Sequence, residues 1–194
     1  MVPEGEALVE QARHQGFRVP PPTKVAIPLI DVHTHAFPDR PTHELVEAAE
    51  LYQVERLVAL ASLEQSVEVQ SQFPHMVLPG PMLDFTHWQD PDRFAATNIA
   101  VVREAARAGA PLIKLWFAPR FQDRVPMKLD DARLDPIFEE IGRQKLAVLV
   151  HVADPDIWFA KYYTDTARYG TKADQYPPLE YRLERHPEIV FISA

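Results

Sequence analysis

The chain has 194 residues, 46% of them hydrophobic, a formal net charge of −8 and no cysteine. That length supports one substantial core and is short for two. Disulfides, thiolate metal sites and cysteine nucleophiles are excluded, and dispersed Lys and Arg residues in an acidic chain argue against a nucleic-acid surface.

No run approaches the roughly 20 apolar residues of a membrane span. Met1 to Glu10 carries Glu4, Glu6 and Glu10 and lacks the apolar centre of a secretory signal. The expectation is a soluble, cytoplasmic protein acting on a small-molecule substrate, without nucleic-acid or membrane partners and with room for a homo-oligomer. Pro3 to Gln15 reads as a short amphipathic helix stopped by Gly16, and Pro20-Pro21-Pro22 as an extended connector. Residues 1–24 are therefore an arm, and 25–194 the main domain.

From Val25 onward, strand-like and helix-like segments alternate. The first strand ends near His33. Pro41-Thr42 opens a helix with Thr42 as N-cap and Leu45, Val46 and Ala49 on its apolar side. Leu57 to Ala61 is a second strand, and Ser62 with Gln65 forms a capping-box pattern opening a helix that Pro74 ends. Val77 to Leu83 is a weaker third strand, interrupted by Pro79, Gly80 and Pro81.

Asp90-Pro91 starts a helix that runs to Ala108, with Gly109 past its end. Leu112 to Phe117 is strand four. Asp135-Pro136 repeats the same helix start, and Leu146 to His151 is strand five. Pro178 to Arg185 is a helix, and Ile189 to Ala194 a sixth apolar run. Nearly continuous apolar strands suit a parallel sheet buried on both faces.

Repeated βα units suggest a (β/α)8 TIM barrel, but only about six strands are visible, where eight strands and about 250 residues are usual. The apolar run also stops at Ala194 with no covering helix. The fold class expected is thus α/β, a (β/α)8 TIM barrel here incomplete, as the front part of a longer protein. A complete, smaller open sheet of flavodoxin type is the alternative, disfavoured because no glycine-rich phosphate loop follows strand one.

The chemistry concentrates at strand ends. In Ile30-Asp31-Val32-His33-Thr34-His35, alternate residues of a strand share a face, so Asp31, His33 and His35 are expected to point one way. Two imidazoles at that spacing can converge on one metal ion at the carboxyl end of a parallel strand. A buried strand ending in hydrogen-bonded histidines would leave the same pattern. His151 closes strand five in the same manner, and three neutral imidazoles plus water make a workable catalytic zinc arrangement.

Lys114, inside apolar strand four, is costly as a bare cation. It could be carbamylated as a metal ligand, could bind a substrate carboxylate, or could pair with Asp84 or another interior acid. His14, His43, His75, His87 and His186 fall outside strand ends and read as surface or structural.

These segments resemble the opening strand and later strands of the amidohydrolase superfamily. Lys114 in Leu112-Ile113-Lys114-Leu115-Trp116 and His151 in Leu149-Val150-His151-Val152-Ala153-Asp154-Pro155 carry the later matches. The similarity covers about residues 25–194 and is nearest the amidohydrolase-related branch, of the aminocarboxymuconate semialdehyde decarboxylase type. It implies a metal-dependent barrel that hydrolyses C–N or C–O bonds or decarboxylates aromatic-type acids. His33, His35 and His151 are the implied ligands, with Lys114 at the position carbamylated in binuclear branches. A sixth-strand histidine and an eighth-strand aspartate are also implied, and both would lie beyond Ala194.

Two long connections fall on the expected catalytic rim. Ala118 to Arg133 holds Arg120, Arg124 and Asp130; Val152 to Pro177 holds Trp158, Phe159, Tyr162, Tyr163, Tyr169 and Tyr176. Arg120 could clamp a substrate carboxylate, and the aromatics, Trp158 among them, could wall a pocket or simply pack against neighbours. The leading expectation is a hydrolase using zinc, or manganese, to activate water, with His33, His35 and His151 as ligands and Lys114, Arg120 and Trp158 at the substrate. A non-oxidative decarboxylase on the same site is the alternative, and a non-catalytic metal-binding remnant is the alternative of another class.

Overall fold

The computed structural model describes Glu10, His14 and residues 27–193. The arm expected over 1–24 lies outside the described residues, apart from Glu10 and His14, which are helical.

Among the described residues six strands follow in order: β1 (Leu29–Thr34), β2 (Val54–Ala61), β3 (Val77–Pro81), β4 (Leu112–Trp116), β5 (Ala147–His151) and β6 (Phe191–Ser193). Every pairing is parallel. β1–β2–β3 make one sheet and β4–β5–β6 a second, and a single parallel bridge between Met82 and Lys114 joins the two. The helices between them are α1 (Thr42–Leu51), α2 (Leu63–Gln72), α3 (Pro91–Arg107), α4 (Asp135–Arg143), α5 (Asp156–Lys161), α6 (Thr166–Tyr169) and α7 (Pro177–Arg185). No helix among the described residues is long and apolar enough to cross a membrane.

The break between the sheets has a chemical cause. Pro79, Gly80 and Pro81 do not interrupt β3 as the sequence suggested; they pair with Ala59, Leu60 and Ala61 of β2. Proline offers no N–H, however, so the opposite edge of β3 has few donors to give β4, and prolines settle at such edges. Gly80 answers a separate constraint. A Cβ there would meet Val58 Cγ1 at 2.5 Å and Leu60 Cδ2 at 2.8 Å, so β2 and β3 need a bare backbone at that point.

Side chains of the strands divide by face. Val58, Leu60, Leu112 and Leu149 form a buried inner cluster with Val32, Leu78, Ala147 and Ile192 packed against it. That cluster draws on all six strands, so the two sheets share one inner side. The outer side meets the helices: Leu57, Ala59 and Val77 with Val46, Ala49 and Val69, and Ile113, Leu115, Val148 and Val150 with Phe94, Val102, Ile137 and Phe138. Burial on both faces is what the continuous apolar runs encode.

Helix starts follow the sequence in part. Ser62 and Gln65 make both bonds of the capping box, and Asp90 Oδ1 accepts from the Arg93 N–H ahead of Pro91. Gly109 closes α3 at φ 79°, a left-handed value that suits glycine. Two expectations are corrected. Thr42 is the first residue of α1 rather than its cap, because its hydroxyl donates to the Phe37 carbonyl at 2.8 Å. Asp135 is likewise inside α4, its carboxylate drawn instead to Arg182 and Arg185 of α7.

Candidate metal centre at the strand ends

His33 and His35 reach the inner side through a break in alternation. Between Asp31 and Thr34 the β1 register shifts: Asp31 lies opposite Leu57 and Thr34 opposite Ala59, so β1 carries one residue more than β2 over that step. Such an extra residue re-aims the side chains that follow. The His33 N–H turns back to Asp31 Oδ1 at 2.9 Å. Asp31 therefore sits beside Leu57, on the helix-side register, and does not share a face with the histidines as strict alternation predicted. Thr34 and Ala36 are buried, and the His33 and His35 rings lie with centroids 5.7 Å apart.

Lys114 is 2% exposed, on the β4 face that also carries Leu112. Its Nζ donates to His33 Nε2 at 3.1 Å. Burial lowers its pKa from 10.5 to about 8. Among the described residues no carboxylate lies within ion-pair distance of it. Asp84, the partner considered from sequence, instead accepts the Thr86 N–H at 2.7 Å, and its bonds to Thr86 hold it below the usual carboxylate range.

Burial first, and then the Lys114 charge, push the pKa of both His33 and His35 below 6.5. His151 adds to the lowering at each, while Asp31 opposes it at His33 and a hydrogen bond with the Leu60 backbone opposes it at His35. The four side chains thus share one electrostatic neighbourhood. Both first-strand imidazoles are neutral at pH 7 and keep a lone pair for a ligand.

His151 ends β5 and is held by a group that sequence reasoning left without a role. Its Nε2 lies 3.0 Å from Asp154 Oδ1, and Asp154 Oδ2 accepts from the Tyr163 hydroxyl. Asp154 and Tyr163 are buried, at 4% and 2% exposure. Burial, and then Asp154, push the Tyr163 phenol well above its usual range, against a smaller lowering by Arg120. The His-x-x-Asp spacing past the end of β5 was the readable signal for this contact.

Arg120 stands exposed on the turn Pro119–Asp123, with its backbone beside the Tyr163 hydroxyl. Trp158 is 40% exposed on α5 and packs edge-on against Tyr162, at a ring distance of 5.8 Å. Neither is brought into contact with the histidines. The long connection after β5 is folded, with Phe159 and Tyr169 each against Tyr163. A recess of about 390 Å³ lies between the two rim connections, lined by Gln122, Lys128, Asp130, Arg168 and Tyr169 among others. A recess of about 630 Å³ between α2 and α3 lies on the outer side, away from the strand ends.

The donors suit a divalent cation in kind: neutral imidazoles on adjacent inner positions, a third imidazole from β5, and an amine in reach of the first. Among the described residues, no three His, Asp or Glu side chains gather closely enough to hold one ion. The fit is one of donor chemistry, with Lys114 Nζ standing against one donor nitrogen and Asp154 against another.

Parallel βα repeats with polar side chains collected at the carboxyl ends define the class: an α/β protein with the strand order of a barrel segment. The chain folds like amidohydrolase-type structures. A Staphylococcus aureus protein assigned to the amidohydrolases superposes with a TM-score of 0.60 at 14% identity, over 86% of this chain and 67% of that one. 2,6-Dihydroxybenzoate decarboxylase from Rhizobium gives 0.57 at 14%, over 86% and 65%, and 5-carboxyvanillate decarboxylase from Sphingomonas paucimobilis gives 0.54 at 16%, over 79% and 51%. The chain therefore spans from about half to two thirds of the length of these structures. No protein-family model matches the sequence, and no curated protein does. The resemblance read from the strand-end residues is borne out at the level of the fold.

Proposed function

We propose that the whole protein is a metal-dependent hydrolase whose β1 pair, His33 and His35, binds a divalent cation together with His151. The observation that supports this reading is that His33, His35, His151 and Lys114 act on one another electrostatically at the inner strand ends, with the pKa of the first two imidazoles lowered. The six strands are read as the first six of an eight-stranded barrel, supported by the single inner cluster that all six supply. Zinc is the metal expected from an imidazole donor set, with manganese second.

When bound, the ion would acidify water toward neutrality and polarise the scissile carbonyl. His33 and His35 would bind through unprotonated ring nitrogens, with His35 oriented by the Leu60 carbonyl. Lys114 would leave the His33 nitrogen and turn its ammonium to the substrate, or would serve as a carbamate ligand. No residue within 27–193 fills the role of the implied sixth-strand histidine or eighth-strand aspartate in the described structure.

A decarboxylase is the second reading, and one observation favours it. With a pKa of about 8, Lys114 is mainly cationic at pH 7, a buried positive charge beside the histidines. That is the feature needed to orient a substrate carboxylate. The two decarboxylases among the similar structures agree with it in fold alone.

Screening the intact protein against amides, esters, lactones and aromatic carboxylates separates the readings. Activity on the first three classes, lost on chelation and restored by zinc or manganese, supports hydrolysis. Carbon dioxide release from an aromatic acid supports the second reading. Activity indifferent to chelation sinks both.

A further inference from the structure

The recess of about 390 Å³ between the β4 and β5 connections is closed behind by the start of α7. A narrow continuation of it passes Phe117 and Val152, which belong to the helix-facing cluster. Lys114 and His151 fall on the opposite strand face, by alternation with Leu112 and Leu149. The recess is therefore a second concavity, outside the side that carries the histidines.

Its walls are held by their own hydrogen bonds. Arg168 Nη2 and the Tyr169 hydroxyl both donate to Asp123, at 2.7 and 3.1 Å, which ties the two connections together. Gly170 turns the chain at φ 69°, and a Cβ there would stand 3.1 Å from Asp174 Oδ2. That oxygen accepts the Thr171 N–H and hydroxyl, each at 2.7 Å. Gln175 is 9% exposed and donates its amide nitrogen to the Tyr169 and Thr171 carbonyls, at 2.9 and 3.3 Å. The reverse orientation would set the amide oxygen against two carbonyls. Gln175 Oε1 is thus left without a donor among the described residues, where the side chain lines the recess.

The lining decides the class of ligand. Lys128 and Arg168 balance Asp130 and Asp174, and Lys128 acts directly on Asp174, so the charges are interleaved and give an ion no field of one sign. The start of α7 is no anion cradle, because Pro177 and Pro178 lack N–H groups. So polar a lining also disfavours a hydrocarbon. A hydroxyl both donates and accepts. A ligand carrying several can accept from Lys128 and Arg168 while donating to Asp130 and Gln175 Oε1, with the prolines against its C–H groups. The volume lies within the range of small-molecule sites.

We propose that this recess binds a neutral polyhydroxylated ligand, a mono- or disaccharide, at a site separate from the strand-end histidines. The site needs no metal ion and stands whether or not the histidines bind one.

Glucose, galactose, N-acetylglucosamine and maltose are titrated, each to tens of millimolar, into the intact 15N-labelled protein in the presence of a chelator. At least one should bind saturably and shift the backbone amides of Thr166, Arg168 and Gln175 while leaving those of His33 and His151 in place. Glucuronate and glucosamine, which carry a charge, should bind more weakly than that sugar. Ala167→Trp fills the recess with an indole and should abolish binding. Asp130→Ala/Lys128→Ala changes exposed side chains that make no hydrogen bond among the described residues, and should weaken binding roughly tenfold with the fold intact. That double variant decides the matter where Ala167→Trp fails to fold. Saturable binding by none of the four sugars, shifts confined to the strand-end histidines, tighter binding of a charged sugar, or unchanged affinity in either folded variant overturns the proposal.

Discussion

The two three-stranded sheets contribute to one site in different ways. The β4–β6 half holds its functional groups rigidly: Lys114 is buried inside β4, and His151 is tied through Asp154 to Tyr163. Behind them lies a large cluster of helix-facing side chains that includes Phe94, Ile137 and Phe138. The β1–β3 half delivers His33 and His35 from the edge strand, past a register shift, with a smaller cluster behind it. One half is a frame of buried, hydrogen-bonded side chains, and the other supplies two imidazoles from an edge strand.

The frame should fail first when its buried cation is removed. Arg182 of α7 is fully buried, donates to the Leu129 and Asp131 carbonyls and to Asp135, and stacks over Phe138. Arg182→Ala strands those acceptors and should destabilise the fold by about 3–5 kcal/mol, read by chemical denaturation. The same loss in the first half has no counterpart, since its ion pairs among the described residues are exposed, as at His43–Glu47. A change of less than about 1 kcal/mol would erase the contrast between the halves.

Lys114 sharpens the comparison, because it is buried in the β4–β6 half yet opposes its stability. Its folded pKa of about 8 lies below the 10.5 of a free lysine, so between those values the unfolded chain binds more protons. Stability must rise with pH across that window and be lowest beneath it. Lys114→Met should remove the slope and stabilise the protein at pH 7 by up to about 3 kcal/mol. Denaturation midpoints measured from pH 7 to 10.5 check both the sign and the slope. A wild-type stability falling over that range would contradict the assignment.

Two smaller perturbations probe the first half. Gly80→Ala drives a methyl group into Val58 and Leu60 and should cost about 1–3 kcal/mol, seen in the thermal midpoint. Ser62→Ala removes one arm of the α2 capping box and should cost about 1 kcal/mol, with Ser62→Thr close to neutral.

Strand positions, the βα order and the capping box of α2 were legible because each is written locally, in apolar runs and cap spacing. The lysine and histidines were legible as strand-end exceptions in apolar stretches. What was not legible depended on partners distant in sequence. Strict period-two alternation put Asp31 with the histidines, and only the pairing of β1 with β2 shows the extra residue. Pro79 and Pro81 looked like a break in β3, whereas they mark its donor-poor edge. Thr42 and Asp135 looked like caps until Phe37 and Arg182 claimed their side chains. Tyr163 was visible only as one aromatic among several, since its hydrogen bond to Asp154 crosses a folded connection.

The central claim is that His33 and His35 from the β1–β3 half bind a cation jointly with His151 from the β4–β6 half. Zinc stoichiometry, measured by metal analysis after dialysis for the wild type, His33→Ala/His35→Ala and His151→Ala, tests it most directly. The account predicts bound zinc in the wild type, none in the double variant and weakened retention in His151→Ala, with all three still folded. Unchanged zinc in the folded double variant, or no zinc in the wild type, would contradict it.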